Sequence, residues 1–122
     1  GTDGRIYPWG NRWDPRRCNS AEGGPGRTTA VGEHSPEGNS PYGCADMAGN
    51  VVEWCLDWYD EKYYAHSPRQ EPAGPDRGKY RVLRGGSWNS DEWDVRAANR
   101  NYDFPAYRDD DVGFRCVVAP GR

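Results

Sequence analysis

Two carboxylates seven residues apart, Asp46 and Glu53, bracket Met47-Ala48-Gly49-Asn50-Val51-Val52. A Gly-Asn turn between two acids folds the chain back, so both acids and the carbonyls between them form a compact, oxygen-rich cage. Such ligands suit calcium better than a transition metal. The structural alternative makes Asp46 a cap and Glu53 a surface residue on a strand. The run Cys18-Asn19-Ser20-Ala21-Glu22 offers the same chemistry, with Asn19, Glu22 and nearby carbonyls as hard-cation ligands, or else a solvated turn. Asp109-Asp110-Asp111 is a weaker signal, because a run of three acids normally faces solvent.

Other chemistry is missing from the sequence. It has no dinucleotide-binding glycine pattern and no phosphate-binding loop. His34 and His66 lie near no serine or cysteine nucleophile motif, so no catalytic triad is readable. Cys18, Cys44, Cys55 and Cys116 form no Cys-x-x-Cys, which argues against zinc. They allow three pairings. One or two disulfides would fit an exported protein, periplasmic or extracellular, and buried thiols would fit a reducing compartment.

The elements that must position these groups converge on Arg81–Trp88, Arg-Val-Leu-Arg-Gly-Gly-Ser-Trp. Gly85-Gly86 allows close backbone approach or positive φ. In Val51–Trp58, Val52, Trp54, Leu56 and Trp58 alternate with Glu53, Cys55 and Asp57, which predicts a half-buried strand. Lys79–Leu83 is the next strand and Gly113–Val118 a closing one. Residues 12–26 and 68–78 read as loops, and Tyr59–Ser67 as a helical turn or tyrosine-rich loop. Trp93–Arg100 reads as a helical turn or strand, and Asp103–Asp111 as polar loop.

Length and composition set the scale. With 122 residues the chain is one domain at most, and 34% hydrophobic content implies a small core. Six Trp and eight Tyr against two Phe suit an interior where ring N–H and O–H groups find partners. Polar contacts, ions or disulfides must supplement burial in so loop-rich a chain. Net charge is −3 with no basic run, which argues against nucleic acid. No apolar stretch approaches the ~18 residues of a membrane span.

Tyr7-Pro8-Trp9-Gly10-Asn11, Asp46–Trp54, Arg81–Trp88 and Gly113-Phe114-Arg115, in this order and spacing, resemble the formylglycine-generating enzyme (sulfatase-modifying factor) family. The resemblance covers essentially the whole chain and corresponds to the family's C-terminal half. It implies an α+β, C-type-lectin-like fold with short antiparallel strands, long loops and structural calcium. It also implies that residues 1–122 are part of one domain, completed by an N-terminal half or a companion chain. One calcium site would use the side chains of Asp46 and Glu53 and the carbonyls of Gly49 and Val51. The other would begin at Asn19 and Ser20, where the following loop is much shorter than in the family's enzymes. Cys18 and Cys44 replace residues unusual for the family, which favours their pairing.

The family's enzymes bind copper through a cysteine pair. Its first member lies two residues past the Gly-Gly-Ser-aromatic motif, at Ser90 here, and Asp91–Asn99 supplies no second. A hydroxyl does not replace thiolate toward Cu(I). The resemblance therefore implies no such oxidase and no catalytic residue. Other family members are iron enzymes whose histidine ligands lie in the N-terminal half.

Asn89–Arg115 also resembles the variable region of diversity-generating-retroelement proteins. Ser90, Asp91, Asp94, Asp103, Phe104, Tyr107, Asp109, Asp110 and Asp111 are residues reached from an asparagine codon by changing its adenines. The combined expectation is a non-catalytic, calcium-stabilised recognition or assembly module that binds a protein or glycan. Its ligand face would be Ser87, Trp88, Ser90, Trp93, Tyr102, Phe104 and Tyr107, with aromatic side chains as anchors. The alternatives are an oxidoreductase or maturation enzyme with metal ligands outside this chain, and a ligand-binding variable protein.

Overall fold

The computed structural model describes residues 2–118. Its sheet has four strands in the order β3-β2-β1-β4, with β1 Val52–Trp58, β2 Arg81–Arg84, β3 Asn101–Asp103 and β4 Val112–Gly113. β1 runs antiparallel to β2 and parallel to β4, and β2 runs antiparallel to β3. Helix among the described residues is confined to single 3-10 turns at Pro15–Arg17 and Tyr63–Ala65. Asp14 caps the first, its side chain accepting from the Arg16 N–H.

The alternation predicted for β1 breaks at Leu56. Trp54 pairs with Leu83, but the next pair is Trp58 with Arg81, so β1 carries extra residues between them. A bulge re-aims the side chains inside it, and Leu56 is 87% exposed. Arg81 fixes the distortion: its guanidinium donates to the Leu56 carbonyl and lies 3.6 Å from the Trp58 ring centroid.

Two further readings change. The closing strand is shorter than Gly113–Val118, since only Val112 and Gly113 pair with β1. Phe114, Val117 and Val118 are exposed and no described strand lies beside them. β3 lies partly inside the stretch read as loop, because Tyr102 pairs with buried Val82. Of the two readings for Trp93–Arg100 the strand is not formed, and the chain runs through turns up to Ala98.

The core is small, as composition requires: Tyr7, Cys18, Ala48 and Val95 cluster with Trp9 and Trp13 packed against them, and Val82 and Leu83 are buried on β2. Tyr7 stacks on Trp9 at 5.4 Å between centroids. Much of the remaining interior is polar, with Asn19, Ser20, Asn50 and Ser87 all buried.

Candidate functional site

Three loops that are remote in sequence meet at that polar interior. The Asn50 N–H donates to the Asn19 carbonyl at 2.8 Å, Gly49 N–H to the Gly85 carbonyl at 2.8 Å, and Trp88 N–H to the Asn50 carbonyl at 2.9 Å. The Ala21 N–H reaches the Ser90 carbonyl at 2.9 Å. Asn19–Ser20, Gly49–Asn50 and Gly85–Ser90 are thus one hydrogen-bonded hub. Gly49 takes φ +77°, and a Cβ on it would lie 2.2 Å from the Asn19 carbonyl oxygen. Gly85 and Gly86 take φ +93° and +66°, the positive-φ role expected for them.

Asn19 is the most telling residue of the hub. Its amide nitrogen donates to the Arg27 carbonyl at 2.9 Å, and also to Thr29 and Asn50. Its Oδ1 is buried without a donor among the described residues. Buried polar atoms are almost always satisfied, so this oxygen fits a cation ligand. The Cβ that Gly24 lacks would fall 1.9 Å from it. Glu22 is otherwise engaged: one carboxylate oxygen accepts the Ser20 hydroxyl at 3.1 Å, the other the Glu92 N–H at 3.0 Å.

The Asp46–Glu53 loop is arranged differently. Asp46 has φ +52°, and its Oδ2 accepts the Gly32 N–H at 2.7 Å. Both Glu53 oxygens accept from Arg115, each at 2.6 Å. The same guanidinium donates to the Ala45 and Asp46 carbonyls, each at 2.9 Å. The bond to Glu53 raises the Arg115 pKa above its ordinary value. Of the ligands implied here, Asp46, Gly49, Val51 and Glu53, the last is already charge-compensated by this chain. The orphaned oxygen makes Asn19 the better fit for a hard cation.

Beside the hub lies a cavity of about 90 Å³ that Ser87, Ser90 and Asp111 line together with Gly85 and Gly86. Ser87 donates its hydroxyl to Asp111 Oδ2 at 2.9 Å, and its N–H goes to Ser90 Oγ at 2.9 Å. The two serine oxygens are 3.4 Å apart. No cysteine is among the lining residues. All four cysteines are separate thiols, so the expected Cys18–Cys44 disulfide is not formed: Cys18 is buried in the core and Cys44 lies on the surface. Burial pushes the Cys18 thiol up to about 12 and that of Cys55 upward, which suppresses thiolate chemistry at both. A larger concavity of about 520 Å³ is enclosed by residues 9–17 of one loop and holds none of these groups.

The predicted ligand rings do not form one patch. Tyr102 stacks on Tyr59 at 3.9 Å and touches Tyr80, which also packs on Phe104. Trp93, 62% exposed, meets Arg96 instead. Tyr107 donates its hydroxyl to Asp109 at 2.8 Å, which pushes the phenol pKa up to about 12. Trp88 is half-buried over the hub. Sequence reasoning missed Asn50, Asp111, Tyr59 and Tyr80 as parts of these assemblies. The first two act through partners more than twenty residues away, and tyrosine abundance gave no means of choosing among eight.

Comparison with known proteins adds the lineage. The model of the "Sulfatase-modifying factor enzyme 1-like domain" matches residues 1–120. The chain is 43% identical over 113 residues to the serine/threonine-protein kinase pkn1 of Chlamydia pneumoniae, covering 91% of this chain and 17% of the relative. It is 39% identical over 133 residues to the formylglycine-generating enzyme of Streptomyces coelicolor, covering 96% of this chain and 41% of that protein. Among solved structures it is similar to Treponema denticola variable protein 1, with TM-score 0.76, 30% identity, and coverage of 91% of this chain and 40% of that one. The chain therefore spans well under half the length of the relatives it matches. Its fold is the expected α+β, C-type-lectin-like one, with little regular structure. By its motifs, its fold and the match along nearly its whole length, this chain belongs to the sulfatase-modifying factor (formylglycine-generating enzyme-like) family.

Proposed function

We propose that this chain is part of a non-catalytic, calcium-stabilised recognition or assembly module built on the sulfatase-modifying-factor scaffold. One observation carries the reading. The cavity beside Gly85–Trp88 presents two serine hydroxyls and a carboxylate, with Ser90 at the position where the family's enzymes hold a copper-binding cysteine. This set hydrogen-bonds a ligand; it offers no soft donor for Cu(I). Calcium would sit at Asn19 and Ser20, with Asp46, Gly49, Val51 and Glu53 as a second set around Arg115. A protein or glycan ligand would lie over Ser87, Trp88 and Ser90, with the Tyr102–Phe104 ring cluster, Trp93 and Tyr107 as separate outer contacts. An N-terminal half or companion chain would complete the fold, in an exported compartment.

Elemental analysis of the intact protein tests this reading. Calcium without stoichiometric iron or copper is the expected result. Stoichiometric iron or copper would replace the module by an enzyme whose ligands lie outside this chain.

A second reading is favoured by the likeness to a Treponema variable protein. Here Asn89–Asp111 would be a diversified binding surface. Sequencing those codons across a natural population should then show substitutions at adenines alone, with Gly85–Trp88 and Gly113–Arg115 unchanged. A uniform sequence removes this reading.

A further inference from the structure

The cavity beside Ser87 is lined on one side by Val52 and Leu83 and elsewhere by the acids Asp94 and Asp111. At about 90 Å³ it is well below the roughly 300 Å³ at which sites for whole small molecules begin. It admits the end of one side chain.

Its polar groups are short of positive charge. Among the described residues neither Asp94 nor Asp111 is in a salt bridge. Among those residues the half-buried Asp111 side chain accepts only the neutral Ser87 hydroxyl, on Oδ2, and the exposed Asp94 side chain only a long 3.5 Å contact from the Asn99 amide. The one cation in the lining, Arg84, directs Nη2 to the Ala97 carbonyl. At the rim, Asp109, Asp110 and Asp111 place carboxylate oxygens within 4.8 Å of one another. Field lines from several carboxylates focus in such a cleft and concentrate cations. Tyr107 donates its hydroxyl to Asp109, and that bond first, with the charges of Asp109, Asp111 and Asp103 behind it, raises its phenol pKa.

We propose that this cavity receives a basic side chain of a partner polypeptide, a lysine ammonium in first place, with its methylene stem along Val52 and Leu83 and its charge between Asp94 and Asp111. The inference rests on the recognition reading and names the chemistry of its ligand. An apolar wall ending in acids matches a long stem with a charged head. Serine and amide oxygens supply further acceptors for the three ammonium protons. A bare divalent ion would leave the apolar wall without use.

Saturation-transfer NMR on the intact protein with n-butylammonium chloride is the test, with n-butanol as the uncharged match. Saturable transfer from butylammonium and none from butanol is expected. Asp94→Asn and Asp111→Asn should each weaken it by roughly three- to tenfold, as for a partly screened ion pair. The amide oxygen in Asp111→Asn still accepts the Ser87 hydroxyl, and Asp94→Asn touches no buried bond, so unchanged tryptophan fluorescence reports an intact fold. Equal transfer from both probes, or no effect of either substitution, overturns the proposal. Displacement of butylammonium by equimolar calcium would also overturn it and make the cavity a metal site. Failure of the ammonium alongside calcium-only elemental analysis would sink this inference and leave the recognition reading standing.

Discussion

Arg115 and Glu53, 62 residues apart, are joined by two bonds of 2.6 Å, and the same guanidinium holds the carbonyls of Ala45 and Asp46. One side chain thus pins the segment after β4 to both ends of the Asp46–Glu53 loop. Charge-assisted bidentate pairs are the strong members of their class. Arg115→Ala should cost about 1–3 kcal/mol in urea denaturation, discounted for partial exposure. Arg115→Lys should recover little, because an ammonium cannot span both carboxylate oxygens. A lysine variant as stable as the parent would show that charge alone suffices.

The proposed calcium site is tested through Asn19. Binding to the folded state alone stabilises it by about 2.7 kcal/mol when free calcium is a hundred times the Kd. Chelation should therefore lower the melting temperature of the parent protein by several degrees. Asn19→Ala removes the orphaned oxygen, so it should melt lower and respond far less to chelator. An identical chelator response in parent and variant would place calcium elsewhere.

Glycine substitutions should separate by space. Gly49→Ala puts a methyl 2.2 Å from the Asn19 carbonyl at φ +77°, with backbone on the other side. A loss of about 3 kcal/mol or more is expected, within the range of overpacking plus strain. Gly4→Ala, at φ +67° with nothing within 4 Å, should lose only about 1 kcal/mol, the backbone preference by itself. Thermal melts of the two variants, compared directly, would expose any error in the hub geometry.

Thiol reactivity and its pH dependence follow from burial. Cys44 and Cys116 are exposed and should alkylate quickly in the native protein, Cys55 slowly, and buried Cys18 only on unfolding. The folded Cys18 pKa is raised to about 12 from an ordinary 9.0. The native state therefore keeps a proton that the unfolded state releases, and stability should fall as pH rises from about 9 to about 12. The slope for one group is about 1.4 kcal/mol per pH unit. Subtracting the profile of Cys18→Ala isolates this contribution, and parallel profiles would contradict the assignment. Peptide mapping after alkylation at neutral pH checks the reactivity order.

Local pattern reached a definite limit in this chain. β1 and β2 were readable from apolar alternation and an apolar pair before two glycines, and the positive φ of Gly85 and Gly86 from residue type. Leu56 was not, because its outward turn comes from a bulge set by Arg81 across the sheet. β3 hid among polar residues because one pairing, Tyr102 with Val82, outweighs the low strand propensity of Asn101 and Asp103. Motif spacing led to Asn19, Ser20, Asp46 and Glu53, but did not reveal that Glu53 meets a guanidinium.

What the sequence determined by itself is the scaffold and the donor types at its motif positions. Motif order carries the family, and the resemblance sets Ser90, a hard oxygen donor, at the place of the family enzymes' copper-binding cysteine. Residue type is enough for both, since φ preference and donor softness belong to the side chain. The tertiary structure decided which groups share a space: Asn19 Oδ1 left without a donor, Arg115 on Glu53, and Asp94 with Asp111 beside the Ser87 cavity. Those outcomes depend on long-range packing and on where buried hydrogen bonds find partners, which no local stretch encodes.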